Sequence, residues 1–459
     1  MAITLTRQTF PVALLVLTAA CTAGSNTDGE DTDVAGDTDT VTADTDDTQD
    51  TPGDSDVTPT TCATFPDWVD ATNLDRIDPK YVSTAFLDVD LTTTVDLTKY
   101  VGVVPVDDNY LRGTNYPGAV DPTQASDWLD ESWIRWGAEG SVTGGSSGCA
   151  SPTDASPTVV SGAIDGTTSW SCDHVVELSG VVTLSAELTV APGTIVRGGA
   201  GSALVVVDGG RLIANGTVDA PIVFTSNDTV SPAAGDWAGL VFLGRGQVNV
   251  EGGVGTFDAV DGAPLYGGGD DSYDCGIVRY VRVEYAGGTL GASPVPALNA
   301  YGCGKNSRFD SVEVLHSGSD GVWFAGGHTN IARVVVAGAP GVGVHLGEGY
   351  DGDSQFWFVQ QAAGAGTVGF QVSNNADNAN ANPRTRPRLA NVTVLGSGAA
   401  GSVAFDLVHG AAGLFYNFAL LGADVGVAAD ADVIPSIGLS DLVLQGTLFW
   451  DDTTTAACE

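Results

Sequence analysis

The chain has 459 residues and a formal net charge of −40, with 57 acidic side chains against 17 basic ones. Twelve of the acids fall in residues 22–61 and one base, Arg7, precedes them, so residues 62–459 still hold 45 acids against 16 bases. Such a surface excludes nucleic acid as a partner and repels acidic polysaccharides unless a cation bridges them.

Residues 1–20 carry Arg7, an apolar run from Pro11 to Leu17, and then Thr18-Ala19-Ala20 before Cys21. A short apolar run closed by small residues is expected to be a secretory signal, too short to span a bilayer in the mature protein. Ala-Ala-Cys resembles a bacterial lipobox, although Thr18 stands where that pattern has Leu. The resemblance implies cleavage before Cys21, lipidation of Cys21, and a membrane partner reached through that lipid. Thr22 after the anchor resembles the sorting signal of outer-membrane lipoproteins. Residues 21–61 are rich in Asp and Thr, with Val34, Val41 and Val57 as the large aliphatics. That composition cannot bury a core and is expected to form a disordered, self-repelling tether, consistent with surface display.

Residues 62–150 form an N-terminal region with a dense run, Asp127 to Trp136, that holds Trp128, Trp133 and Trp136. Residues 151–171 read as a Ser/Thr/Pro/Gly linker, and 451–459 as a polar tail. Between them, residues 172–450 repeat. Val312, Val334 and Phe356 stand 22 residues apart, as do Val314, Val336 and Phe358; Val322-Trp323-Phe324 returns as Val344-His345-Leu346. The spacing loosens to 29 upstream, at Val283, and to 26 and 24 downstream, at Phe418 and Leu442. Two short strands repeating together mean stacked coils, each unable to bury its inner face alone. The expectation is an all-β fold, a parallel β-helix of roughly nine to eleven coils. The 61 glycines suit its corners.

Several segments are similar to a family of bacterial surface proteins with a right-handed, pectate-lyase-like β-helix: GTVDAPIVF at 216–224, GDWAGLVF at 235–242, YGGGDD at 266–271, GIVRYVRVEY at 276–285, DGVWFAGG at 320–327 and GYDGDSQFWF at 349–358. The stretch Tyr110 to Trp136 matches too, but precedes the helix instead of following it. The resemblance implies the fold and leaves the activity open, and it makes Trp237 structural.

Six cysteines besides Cys21 suggest three disulfides. Cys275 and Cys303 flank the Val283 coil, and Cys149–Cys172 would staple the entry to the solenoid. Cys62 and Cys458 would then pair, if the N-terminal region runs along the solenoid. For ligands, Asp270, Asp271 and Asp274 follow three glycines, and Asp351 and Asp353 occupy a second acidic corner. Hard cations favour such oxygen donors, so calcium is the cofactor these loops could take. Trp323 and Trp357 are expected to face outward, where an aromatic face can stack on a glycan or a surface protein. None of the five histidines makes a close metal pair, and His345 is expected to point outward. Arg279, Arg282, Lys305 and Arg308 cluster around Cys275 and Cys303 near the Asp270 loop, and Glu284, Asp310 and Glu313 stand in adjacent coils, which reads as ion pairing along stacked strands or as lyase or hydrolase machinery. Two functions follow: a tethered binding, adhesion or envelope protein, and a polysaccharide lyase or glycoside hydrolase.

Overall fold

The computed structural model describes residues 62–72, 79–81, 83–85, 88–98, 101, 110–136, 149, 156–452 and 454–458. The expected signal segment, Cys21 and the tether lie outside these residues. Among them, 24 strands join in one continuous sheet through parallel pairings. The chain is a parallel β-helix. The sheet runs past both expected boundaries: Thr158–Ile164 pairs with Val176–Leu184 inside the stretch read as linker, and Thr454–Cys458 pairs with Val425–Ala429 inside the stretch read as tail.

From Gly276 onward each coil holds a long strand and a short one. Arg308–Leu315 stacks under Asn330–Ala337, with Val312 on Val334 and Val314 on Val336; Val322–Ala325 stacks under Val342–Gly347, with Val322 on Val344. These are the expected 22-residue pairs. The next step is 23 residues: Val334 lies on Trp357 and Val336 on Val359. The expected equivalence of Phe356 and Phe358 with the inner valines is therefore corrected. One added residue moves every side chain to the opposite face. Trp357 points inward and is fully buried, while Phe358 points outward. The run Phe356-Trp357-Phe358-Val359 is apolar at every position, so it carries no alternation from which to read its face.

Phe356 occupies a special position instead. With Tyr280, Ser311, Arg333, Asn391 and Asn417 it forms a column of left-handed residues, φ between 48° and 68°. Each stands between two paired stretches, such as Asp310↔Ala332 and Val312↔Val334. The bend lets one long strand serve two faces of the coil. It costs roughly 1–2 kcal/mol at an ordinary L residue and less at Asn, which accounts for Asn391 and Asn417 in the column.

The core is a stack of aliphatic side chains with an aromatic chain through it. Phe242, Phe309, Phe324, Trp357, Phe370, Phe405 and Phe415 contact one another in sequence, with ring centroids 5.0–6.5 Å apart. Most of these contacts are edge-on, the geometry that π quadrupoles favour.

The chain enters this stack at its far end. The helix α1 (Phe65–Thr72) places Phe65 and Val69, both fully buried, in the main core. Cys62 is bonded to Cys458 in the last strand. Cys149–Cys172 and Cys275–Cys303 are the other two disulfides. Residues 110–136 then lie as a strap along one flank. Arg112 N donates to Gln355 Oε1 at 2.8 Å, and Gln355 Nε2 donates back to Arg112 O. Asn391 Nδ2 donates to Tyr116 O and Gly118 O, and Gly118 N donates to Asn417 O at 2.7 Å. A Cβ on Gly118 (φ +85°) would lie 2.7 Å from Thr393 Oγ1, so the strap needs glycine to come this close. Leu129, Trp133 and Ile134 cover Val335, Phe358, Ala419 and Leu421 on the outer face of the sheet.

Candidate functional site

Under the strap, outward side chains of adjacent coils become a buried charge cluster. Arg282 Nε lies 3.2 Å from Glu284 Oε1, and Arg135 reaches Glu284 Oε2 at 3.2 Å. Glu313, fully buried, accepts the Arg135 backbone N–H at 2.9 and 3.1 Å. Burial pushes the Glu313 carboxyl up to about 8, against the opposing pull of Arg282 and of the Arg135 backbone N–H. Trp133 stacks on Trp128 and meets Tyr280 edge-on, and Trp136 meets Phe358. Closed off in this way, Glu284 and Glu313 serve docking of the strap. The Trp237 indole is also buried, and its Nε1 donates to Glu284 O at 2.9 Å.

The open groove lies on another face, over the short strands. It has a volume of about 560 Å³. Its floor is the outward column Trp323, His345, Gln371, set by parallel pairing. Two loops wall it: one through Asn249 and Glu251, the other through Asn374 to Asn378. The walls are tied together. Asn249 Nδ2 donates to Asn374 Oδ1 at 2.7 Å and to Pro383 O at 3.0 Å, and Asn375 Nδ2 donates to Asn249 O at 3.1 Å. Asn374 Oδ1 also accepts Thr385 N. Loops 125 residues apart in sequence are thus held as one rigid rim.

Trp323 does face outward, but it offers no flat platform. His345 stacks on the indole at 4.9 Å and Tyr301 packs at 5.6 Å. The indole edge remains, and Trp323 Nε1 makes no hydrogen bond among the described residues. His345 Nε2 bonds Ser373 Oγ at 2.7 Å, which leaves Nδ1 for a ligand. Burial, with His409 nearby, lowers the His345 imidazole to about 4, so it is neutral at physiological pH. Glu348 takes the Tyr266 hydroxyl at 3.1 Å, and burial raises its carboxyl. Gln371 is held by Asp406 at 2.7 Å. The groove therefore presents imidazole, amide and carboxyl groups and an indole edge whose N–H is buried, with no lysine or arginine in its lining.

The acidic corners are engaged in the fold. Asp270 caps Ser272, Asp271 accepts from Gln247, and Asp274 pairs with Arg211 at 2.5 Å. Asp351 bonds His328 at 2.6 Å, and Asp353 pairs with Arg388 at 2.5 Å. The bond to Asp351 raises the proton affinity of His328 against the effect of burial, and the charges of Asp353 and Asp271 add to it. Among the described residues no three His, Cys, Asp or Glu side chains are grouped to hold a metal ion. The groove's Asn249, Asn374 and Asn375 carry no motif, and reasoning along the sequence did not single them out.

A model of the pectate-lyase-like β-helix domain matches residues 162–456. The chain belongs to this family. The match runs from within the first stacked strand to within the last, so the family accounts for the scaffold; the strap and α1 lie outside it. No curated protein and no solved structure matches the chain significantly. No described helix is long and apolar enough to cross a membrane.

Proposed function

We propose that this protein is a tethered surface lipoprotein whose β-helix binds a neutral, hydroxyl-rich glycan in the groove over Trp323, His345 and Gln371. One observation carries the reading: a rigid groove lined by imidazole, amide and carboxyl groups and free of lysine and arginine. Sugar hydroxyls donate and accept at once, which suits imidazole, amide and carboxyl groups held in fixed positions. Polyanions meet Glu251, Glu348 and Asp377 and are repelled.

The anchor rests on the lipobox-like Cys21, and the acidic run behind it supplies the spacer. A second reading is supported by Glu348, whose raised carboxyl suits a general acid beside a neutral imidazole; the groove would then hydrolyse the glycan it binds.

The test is a glycan array probed with the full mature chain, followed by product analysis of each ligand found. Retention of neutral oligosaccharides, lost in His345→Ala and Gln371→Ala, is expected. Retention of acidic glycans alone would overturn the reading, and cleaved product would select the hydrolase. Mass spectrometry of the mature N-terminus checks the anchor: an unmodified Cys21 would remove it.

A further inference from the structure

The 16 basic residues of positions 62–459 are not spread evenly. Arg112, Lys305, Arg308 and Arg333 line one pocket of about 380 Å³, on the face formed by the first halves of the long strands. Arg279 stands next to it, its Nε 3.6 Å from Asp310. Asp310 is the acid in the lining. Its carboxylate is already engaged: Arg308 donates to Oδ2 at 2.7 Å and Arg333 to Oδ1 at 2.5 Å. Ser311 Oγ adds 3.1 Å contacts to Asp310 and to Arg333.

Four cations against one acid leave the lining with a net charge of +3, on a chain whose total is −40. A structural role explains Arg333 and Arg308, which neutralise a buried aspartate. It does not explain Arg112 and Lys305. Both are exposed, and neither side chain has an ion-pair partner among the described residues. Arg112 comes from the strap, where paired hydrogen bonds to Gln355 fix its backbone. Lys305 comes from a corner of the solenoid, with its backbone N–H fixed by Asp271 O. Two separate elements thus bring like charges to one cavity. That arrangement is repulsive until an anion enters.

We propose that this pocket binds a small phosphate or sulfate ester, its tetrahedral oxyanion held among Arg112, Lys305, Arg308 and Arg333. A carboxylate offers two oxygens in one plane, and those of Asp310 are already taken by Arg308, Arg333 and Ser311. A tetrahedral group offers more oxygens, in more directions, to donors arriving from four sides. The volume exceeds that of a bare oxyanion, and Phe356 and Tyr110 in the lining give an organic remainder apolar surface to lie against. The site is separate from the neutral groove, which is built on the short strands.

Calorimetric titration of the full mature chain at low ionic strength tests this with inorganic phosphate, inorganic sulfate, glucose 6-phosphate, glucose 6-sulfate and glucuronate. Saturable binding of at least one ester, tighter than glucuronate, is expected, and the phosphate and sulfate arms tell which ester the site prefers. Arg112→Gln and Lys305→Gln should each weaken that ester by about tenfold or more, the scale of one lost hydrogen bond to a charged group. Neither change touches the Asp310 pairs, and an unchanged melting temperature would show the fold intact. Arg245→Gln, which removes an exposed arginine paired with Asp208 elsewhere, should leave affinity unchanged. No saturable ester binding, glucuronate binding as tight as the esters, or equal loss in all three variants would overturn the proposal.

Discussion

The strapped flank and the open groove face are built from the same kind of column, outward side chains stacked coil upon coil, yet their chemistry differs. Under the strap, the column Glu313, Val335, Phe358, Thr393, Ala419 is sealed from water. On the groove face, Trp323 keeps an edge at the surface, and His345 and Gln371 keep polar atoms there. What an outward residue does is therefore decided by what lies over it. Arg282, Glu284 and Glu313 would be ordinary surface charges on a bare solenoid. Covered, Arg282 and Glu284 join Arg135 in an ion network, Glu313 accepts the Arg135 backbone N–H, and together they select how the strap docks.

The sharpest way to break this contrast is to loosen the strap. Trp133 is fully buried between Trp128, Tyr280 and the sheet, and Trp133→Ala should cost about 3–5 kcal/mol in chemical denaturation. Should the loss stay below about 1 kcal/mol, the strap would not be part of the cooperative fold. Replacing Cys62 and Cys458 together by Ala should cost about 2–5 kcal/mol, since the bond closes a loop of 396 residues. Proteolysis should then begin near α1, as read by mass spectrometry of the fragments.

Next in size is pH. Glu313 has a folded pKa raised from 4.5 to about 8, so between those values the folded state holds a proton that the unfolded state has released. Stability should fall as pH rises through that window. Glu313→Gln keeps a neutral group there and should flatten the profile, gaining on the order of 1–2 kcal/mol at pH 8. A calorimetric profile with the same slope in both proteins would assign the effect elsewhere. The smallest effect belongs to the open face. Gln371→Ala should change stability by less than about 0.5 kcal/mol while removing glycan retention. A large destabilisation there would mean that the groove face is structural after all.

The solenoid was legible because Val312, Val314, Val334 and Val336 alternate with other residue types and recur at one spacing. The same logic failed at Phe356 to Val359, where four apolar residues hide the face of each, and the coil gains one residue. Trp357 consequently read as outward although it fills the core. The strap announced itself by its tryptophans, but only the folded chain shows which column it covers. The groove was the least legible part. His345 was placed outward by its apolar neighbours, yet the rim that completes the site joins Asn249 to Asn374 and Asn375, ordinary polar residues brought together by coil stacking. The acidic corners, conspicuous in sequence, are paired with Arg211, His328 and Arg388.

The bond between Cys62 and Cys458 also decides how the protein bears a load. A pull applied to the chain ahead of residue 62 arrives at the last coil directly, through one covalent link and through α1 seated on the core. The strap, the buried ion network and the rim of the groove all lie beyond that junction. A load entering at the proposed groove would pass through its rim into the stacked strands, whose many hydrogen bonds share it, and would leave at the last coil without crossing the backbone of the strap.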